Sequence, residues 1–310
     1  VGLLDGPRAR GAFMLRSVMR PPWAMRVLAE SPLTLLAMAA GEAWIVPDEG
    51  DAVRLGPGDV AITHGPHHYN VADDPATRPD IIIYPGQVCR SLTGELLEEP
   101  LSHGVRTWGN DRDGPTVMLV GAYEAMSEIS DRLLSALPPV LSMTEEEWDC
   151  PLIPLIAEEI GKDHPGQAAV LDRLLDLLLV AVLRAWFDRP GADAPAWYRA
   201  QGDPVVGRAL GLMQANPAHR WTLAGLAAEV GVSRAALARR FRDLLGEPPM
   251  TYLTEWRLAL AADLLREPEA TVGSVAPQVG YASPFALSAA FKRVRGVSPN
   301  EHRARMLAPA

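Results

Sequence analysis

Two stretches fifty positions apart carry the same local grammar, and that repetition constrains the fold more than anything else in the chain. The first is Gly231-Val232-Ser233-Arg234-Ala235-Ala236-Leu237-Ala238-Arg239-Arg240-Phe241. The second is Gly280-Tyr281-Ala282-Ser283-Pro284-Phe285-Ala286-Leu287-Ser288-Ala289-Ala290-Phe291-Lys292-Arg293. In each, a short helix ends at a glycine free to take positive φ. A serine then opens a second helix by accepting from a backbone N–H two or three residues on. Thr222 stands where it can cap the first helix of the first unit, over 223–230. Helix, turn and capped helix make the helix-turn-helix arrangement, here written twice.

Periodicity assigns the faces. In the first unit Leu237, Phe241 and Leu244 recur at helical spacing and point inward, while Ala235, Ala238, Arg239 and Arg242 fall opposite. In the second, Leu287, Phe291 and Val294 point inward. Phe285, Ala289, Lys292 and Arg293 point outward, with Ser288 at the edge. Small side chains among arginines form a thin basic face that can approach a major groove. The expected DNA-binding set is Ser233, Arg234, Ala235, Ala238, Arg239, Arg242, Phe285, Ser288, Ala289, Lys292 and Arg293. A helix over 204–216 should precede the two units, and one over 251–266 should join them, burying Leu253, Trp256, Leu260 and Leu264. At roughly 24 Å, that helix can hold two recognition helices about one DNA turn apart.

A long ordered series supports a family assignment. It runs through Leu226-Ala227, Gly231-Val232-Ser233, Leu237, Arg239, Phe241, Gly246, Tyr252 and Arg257-Leu258. It continues through Val275-Ala276, Val279-Gly280-Tyr281, Ser283, Phe291-Lys292-Arg293, Gly296, Ser298-Pro299 and Arg303. Residues 221–305 resemble the DNA-binding domain of the AraC/XylS family of bacterial transcription regulators. Two positions depart from the family pattern. Ala289 stands where Arg or another polar reader is common, and Pro277 removes an N–H from the first helix of the second unit. The resemblance implies double-stranded promoter DNA and RNA polymerase as partners, and activation as the commoner role.

Net charge then falls into place. The chain carries −9 overall, which looks wrong for a DNA binder. Residues 1–199 hold 16 Lys/Arg against 29 Asp/Glu, a net −13, and residues 200–310 hold 13 against 9, a net +4. Basic charge sits where the repeated units sit. The acidic part favours one face of contact over wrapping.

The N-terminal part has β character. Short apolar runs separated by Pro, Gly and Asp predict strands over 11–19, 23–29, 33–39, 42–46, 53–55, 60–63, 81–84 and 116–121. Turns are expected at 8–10, 111–114 and Gly56–Asp59. This pattern suggests a small barrel or jelly roll. Through Pro22-Trp23, Gly41-Glu42-Ala43-Trp44, Leu55-Gly56-Pro57-Gly58-Asp59 and Asp73-Asp74-Pro75 it resembles the cupin-like sensor domain fused to many AraC-type regulators. Metal-binding cupins present His and Glu ligands from an early strand and another His later. Here no histidine precedes His64, so half of such a site is missing. Neither a metal nor another cofactor is expected, and a metal-dependent cupin enzyme acting on a small molecule is the weaker alternative. The expected effector-binding set is Trp23, Trp44, His64, His67, His68 and Tyr69, at the barrel mouth.

From Glu124 the pattern turns helical, with helices over 124–136, 145–161 and 167–187. The last is apolar over more than half its circumference, more than packing on one domain requires. A twin subunit would cover the excess, giving a homodimer. The expected architecture is α+β and multidomain: a barrel at 1–122, a helical and dimerising segment at 123–190, a linker at 191–203, and an all-α double helix-turn-helix domain at 204–310. Cys89 and Cys150 lack metal-ligand spacing and read as free thiols of a reducing cytoplasm. The expected effector is an unknown small molecule or a redox signal. No membrane span or signal peptide is apparent.

Overall fold

The computed structural model describes residues 13–123, 134, 136–148, 150–192 and 194–307, with side chains described to residue 304. The expected turn at 8–10 and nearly all of the expected helix over 124–136 lie outside the described residues. The chain divides into two compact units, one holding 13–123 and 137–192, the other holding 134, 136 and 194–307. The expected barrel and the helices at its C-terminal end thus form one unit.

In the first unit the strands are β1 (Phe13–Met19), β2 (Ala24–Val27), β3 (Leu33–Ala40), β4 (Ala43–Pro47), β5 (Val53–Leu55), β6 (Val60–Thr63), β7 (Tyr69–Ala72), β8 (Ile81–Tyr84), β9 (Val88–Ser91), β10 (Ser102–Gly104), β11 (Thr107–Trp108), β12 (Thr116–Tyr123) and β13 (Val140–Met143). One sheet runs β10-β11-β1-β12-β3-β6-β13 and the other β5-β4-β7-β2-β8-β9. Alternation along the strands sends Met25, Ala43, Ile45, Val71 and Ile81 inward from the second sheet. They meet Met19, Leu36, Met38, Ala61 and Met118 from the first. The outer face of the first sheet is covered by helix α2 (Leu152–Glu159), which packs on β3 and β12, and by α3 (Gln167–Asp188); both follow α1 (Glu145–Trp148). Gly121 on β12 makes that approach possible, because a Cβ there would stand 2.4 Å from Leu175 Cδ1. Leu33–Met38 and Val60–Thr63 are therefore buried on both sides of the sheet.

The single helix expected over 145–161 is two helices. Pro151 lies between them and has no N–H with which to continue the ladder. Strands β7, β9, β10, β11 and β13 were not expected: they are two to four residues long and sit among polar or Pro/Gly punctuation.

The second unit is all helical: α4 (Ala196–Gln201), α5 (Val206–Ala215), α6 (Leu223–Glu229), α7 (Arg234–Leu245), α8 (Pro249–Leu264), α9 (Val272–Gln278), α10 (Pro284–Arg295) and α11 (Pro299–Leu307). The stretch expected as a linker, 191–203, is helical in its second half. Ala200 is fully buried, and Trp197 packs on the same core as α5 and α7. Burying an indole outweighs the linker-like composition around it.

Two separate cores share helix α8. Tyr252, Leu253, Trp256 and Ala259 join the first with Leu226, Leu237 and Phe241. Leu258, Ala261, Ala262 and Leu265 join the second with Val275, Leu287 and Phe291. The expected single buried face of α8 is therefore two. Leu260 and Leu264, expected inside, are only partly buried.

Candidate nucleic-acid interface

Each repeated unit is built by the same three contacts. In the first, Thr222 Oγ1 accepts from Gly225 N at 3.0 Å, Gly231 takes φ 75°, and Ser233 Oγ accepts from Ala236 N at 3.2 Å. In the second, Thr271 and Ser274 form a reciprocal capping box, Gly280 takes φ 82°, and Ser283 Oγ accepts from Ala286 N at 3.2 Å. Pro277 falls at the penultimate position of α9, where it leaves the capping box and the turn intact.

The second helix of each unit, α7 and α10, presents the outward face. On α7, Leu237 and Phe241 are fully buried, while Ser233, Arg234, Ala235, Arg239 and Arg242 are exposed and Ala238 is half-buried. On α10, Leu287 and Phe291 are fully buried. Ala289, Lys292 and Arg293 are exposed, Ser288 is half-buried, and Phe285 is 85% exposed. Val294, expected to point inward, is 41% exposed; Ala290 takes the inward place. Val294 keeps the phase of Leu287 but sits in the last turn of α10, beyond Phe291, the last residue of that helix in the second core.

Charge pairing separates two adjacent arginines. Arg240 donates from Nε and Nη2 to Asp203 Oδ2, at 2.8 and 2.7 Å. The other oxygen, Oδ1, accepts from the N–H groups of Val205 and Val206 at 2.9 and 2.8 Å. Burial pushes the Asp203 carboxyl up, but those two N–H groups and Arg240 outweigh it and hold it below the usual carboxylate range. Arg234, Arg239, Arg242, Lys292 and Arg293 make no ion pair among the described residues. Their charge is left facing outward. The role of Asp203 was not legible in the sequence, because it lies 37 residues from Arg240 in a stretch of linker composition.

The expected effector residues do not converge. Trp23 is buried in the barrel core, beside the end of β2 that pairs Ala24 with Ala72. His68 and Tyr69 lie at the opposite end of β2, where Val27 pairs with Tyr69. Trp44 lies between Ala43 and Ile45, both of which point into the core, so it projects from the other face of the sheet. The histidine end is a cluster of its own. The His64 and His67 rings stand 5.4 Å apart edge to face, and His68 Nε2 lies 3.5 Å from Glu30 Oε1. Tyr69 is buried there, its hydroxyl accepting from Thr63 Oγ1 at 3.0 Å, and burial raises its pKa. Among the described residues no three His, Cys, Asp or Glu side chains gather to hold a metal ion, and no helix is long and apolar enough to cross a membrane. A groove of about 370 Å³ that the sequence did not reveal lies at the Trp23 end, bordered by Asp80, Ile81, Ser91, Leu97, Leu101 and Asn110.

Comparison with known proteins agrees with both halves of this architecture. A cupin family model matches residues 1–188, and a helix-turn-helix domain model matches residues 226–305. The chain is 31% identical over 289 residues to a putative AraC-like transcription regulator of Streptomyces lividans, covering 91% of this chain and 90% of that one. It is 30% identical, with the same coverage, to another such regulator of Streptomyces antibioticus. It is 26% identical to the HTH-type transcriptional regulator AlkR of Acinetobacter baylyi, again over 91% and 90%. With a cupin domain ahead of two helix-turn-helix units, the chain belongs to the AraC-like transcription regulators and is a DNA-binding regulator, not an enzyme.

Proposed function

We propose that both recognition helices, α7 and α10, enter successive major grooves of a promoter site, and that the two units read unequally. The observation that supports this is the pair of outward faces whose cations are unpaired among the described residues. Arg239 on α7 can donate two bonds to guanine O6 and N7. Its counterpart on α10, Ala289, offers only an apolar contact, as does Phe285 beside it. Lys292 and Arg293 are placed for phosphates. Ser233, Arg234, Ala235, Ala238, Arg242 and Ser288 complete the contact set. Binding-site selection from randomised duplex DNA, with wild type and with Arg239→Ala, tests the assignment. An unchanged selected sequence in the variant overturns it.

The protein works as a homodimer. Val170, Leu174, Leu177 and Ala181 of α3 recur at four-, three- and four-residue steps, the spacing of a coiled-coil seam. Val170 and Leu177 are 45% and 53% exposed, while Leu171, Leu175 and Leu178 are buried. The effector is a small, largely apolar molecule entering the groove beside Ile81 and Leu97. A redox signal through Cys89 is disfavoured. Burial, followed by the nearby charge of Glu98, pushes that thiol up to about 11, so it is protonated at neutral pH and a poor nucleophile. Activation through RNA polymerase in the cytoplasm completes the reading and rests on the family resemblance.

A further inference from the structure

The two helix-turn-helix units are joined by helix α8 and also by a lateral contact centred on Arg257. The Arg257 side chain leaves α8 midway along it. Its Nε donates to the carbonyl of Pro217 at 2.8 Å and its Nη2 to the carbonyl of His219 at 2.7 Å. Those carbonyls belong to the loop that leads into α6, the first helix of the first unit. The guanidinium carbon also lies 6.0 Å from the centre of the Tyr281 ring, in the turn of the second unit. Gly280 in that turn lies close against both Arg257 and Pro217. A Cβ there would stand 2.7 Å from Arg257 Nη2 and 2.8 Å from the carbonyl oxygen of Pro217.

The internal repeat supplies a control for what this contact means. Gly231 holds the same place in the first unit with nearly the same φ, 75° against 82°, yet a Cβ at Gly231 would meet nothing within 4 Å. Both turns need the left-handed residue, but only the second is pressed against the other unit. A planar fork bonding two backbone carbonyls fixes position as well as distance.

We propose that Arg257 is a positioning residue for DNA recognition: it locks the turn of the second unit against the entry loop of the first, so the domain accepts one spacing between its two half-sites. The proposal rests on the reading above that both units contact DNA. Rigid joining of two binding modules raises the effective concentration of the second, and the gain disappears when the geometry does not match.

The test uses the full chain and the duplex that wild type selects from randomised DNA. That duplex is re-made with one base pair inserted or removed between the half-sites, and also with the second half-site scrambled. Wild type should lose about tenfold or more on either altered spacer. Arg257→Gln should bind the original duplex more weakly, bind all three spacers within about threefold of one another, and match wild type on the scrambled duplex. Arg257→Lys keeps the charge but lacks the fork; it should flatten the profile to a lesser degree, and it reads the proposal if Arg257→Gln does not fold. A wild-type spacer profile in either folded variant overturns the proposal, as does a wild-type protein indifferent to spacing. Failure of the contact reading appears separately, as unchanged binding by Arg239→Ala on the original duplex.

Discussion

Arg239 and Arg240 are neighbours on one helix, and the structure gives them opposite expected phenotypes. Arg239 is exposed and makes no ion pair among the described residues, so its removal leaves no orphaned partner inside the protein. A bidentate contact to guanine contributes about 1–3 kcal/mol of discrimination, which is a loss of about 5- to 160-fold in affinity for the selected site. The loss should concentrate at one or two base positions. Arg240→Ala instead strips two bonds from Asp203 Oδ2, and should loosen the docking of the 196–203 segment while leaving base preference alone. On the proposed phosphate contact, Lys292→Ala should lower the salt slope by about 0.9, so its deficit relative to wild type shrinks about 3.5-fold between 50 and 200 mM salt. Fluorescence anisotropy on the selected duplex and on single-base variants, at both salts, separates the three. The reasoning is refuted if Arg239→Ala loses affinity equally on every sequence while Lys292→Ala changes base preference.

Four further outcomes are expected. Leu174→Glu with Leu177→Glu should give a folded monomer by light scattering and circular dichroism, whereas Leu178→Glu, at a site 1% exposed, should unfold the first unit; a folded dimer in the first case places the interface elsewhere. Gly280→Ala should destabilise more than Gly231→Ala, since both incur the left-handed cost of about 1–2 kcal/mol but only the former also meets Pro217 and Arg257; equal melting temperatures would contradict this. The Asp203 carboxyl, held below its usual range, contributes stability that is full above the ordinary Asp pKa and is lost as pH falls through its lowered value. Asp203→Asn should therefore flatten the acid limb of a stability–pH curve, and an unchanged limb would count against the pairing. Cys89 should resist iodoacetamide at neutral pH in the folded protein and react on unfolding; rapid native labelling would restore the redox reading.

The sequence was most legible where local chemistry decides. Thr222, Ser233 and Ser283 cap helices because a hydroxyl at that position satisfies an orphan N–H whatever surrounds it. Leu237, Phe241, Leu287 and Phe291 are buried because period alone sets their face. Legibility fell where burial is decided at long range. Trp23 and Trp44 looked alike as aromatic residues near strands, but the alternation along β4 turns Trp44 outward while Trp23 fills the core. Helix α8 reads as one-sided from sequence because Leu253, Trp256, Leu260 and Leu264 fit a single stripe. Trp197 gave a faint sign that the linker composition was misleading, since a free linker seldom keeps an indole. Nothing in the sequence pairs Arg257 with Pro217 and His219, 40 and 38 residues away.

Helix α8 hands its side chains to two cores at once, and this has a consequence for how the domain comes apart. Tyr252, Leu253, Trp256 and Ala259 belong to one core, and Leu258, Ala261, Ala262 and Leu265 to the other. A fragment ending after α8 would leave the second set facing water, and one beginning at α8 would expose the first. Neither half is thus a self-sufficient fragment, despite the repeat. Melting one should drag the other with it, so amide protons deep in α6 and α9 should exchange with a common opening free energy. The chain holds two helix-turn-helix units, but the shared helix makes them a single cooperative unit. A lesion buried in one core, such as one at Trp256, can then unfold both.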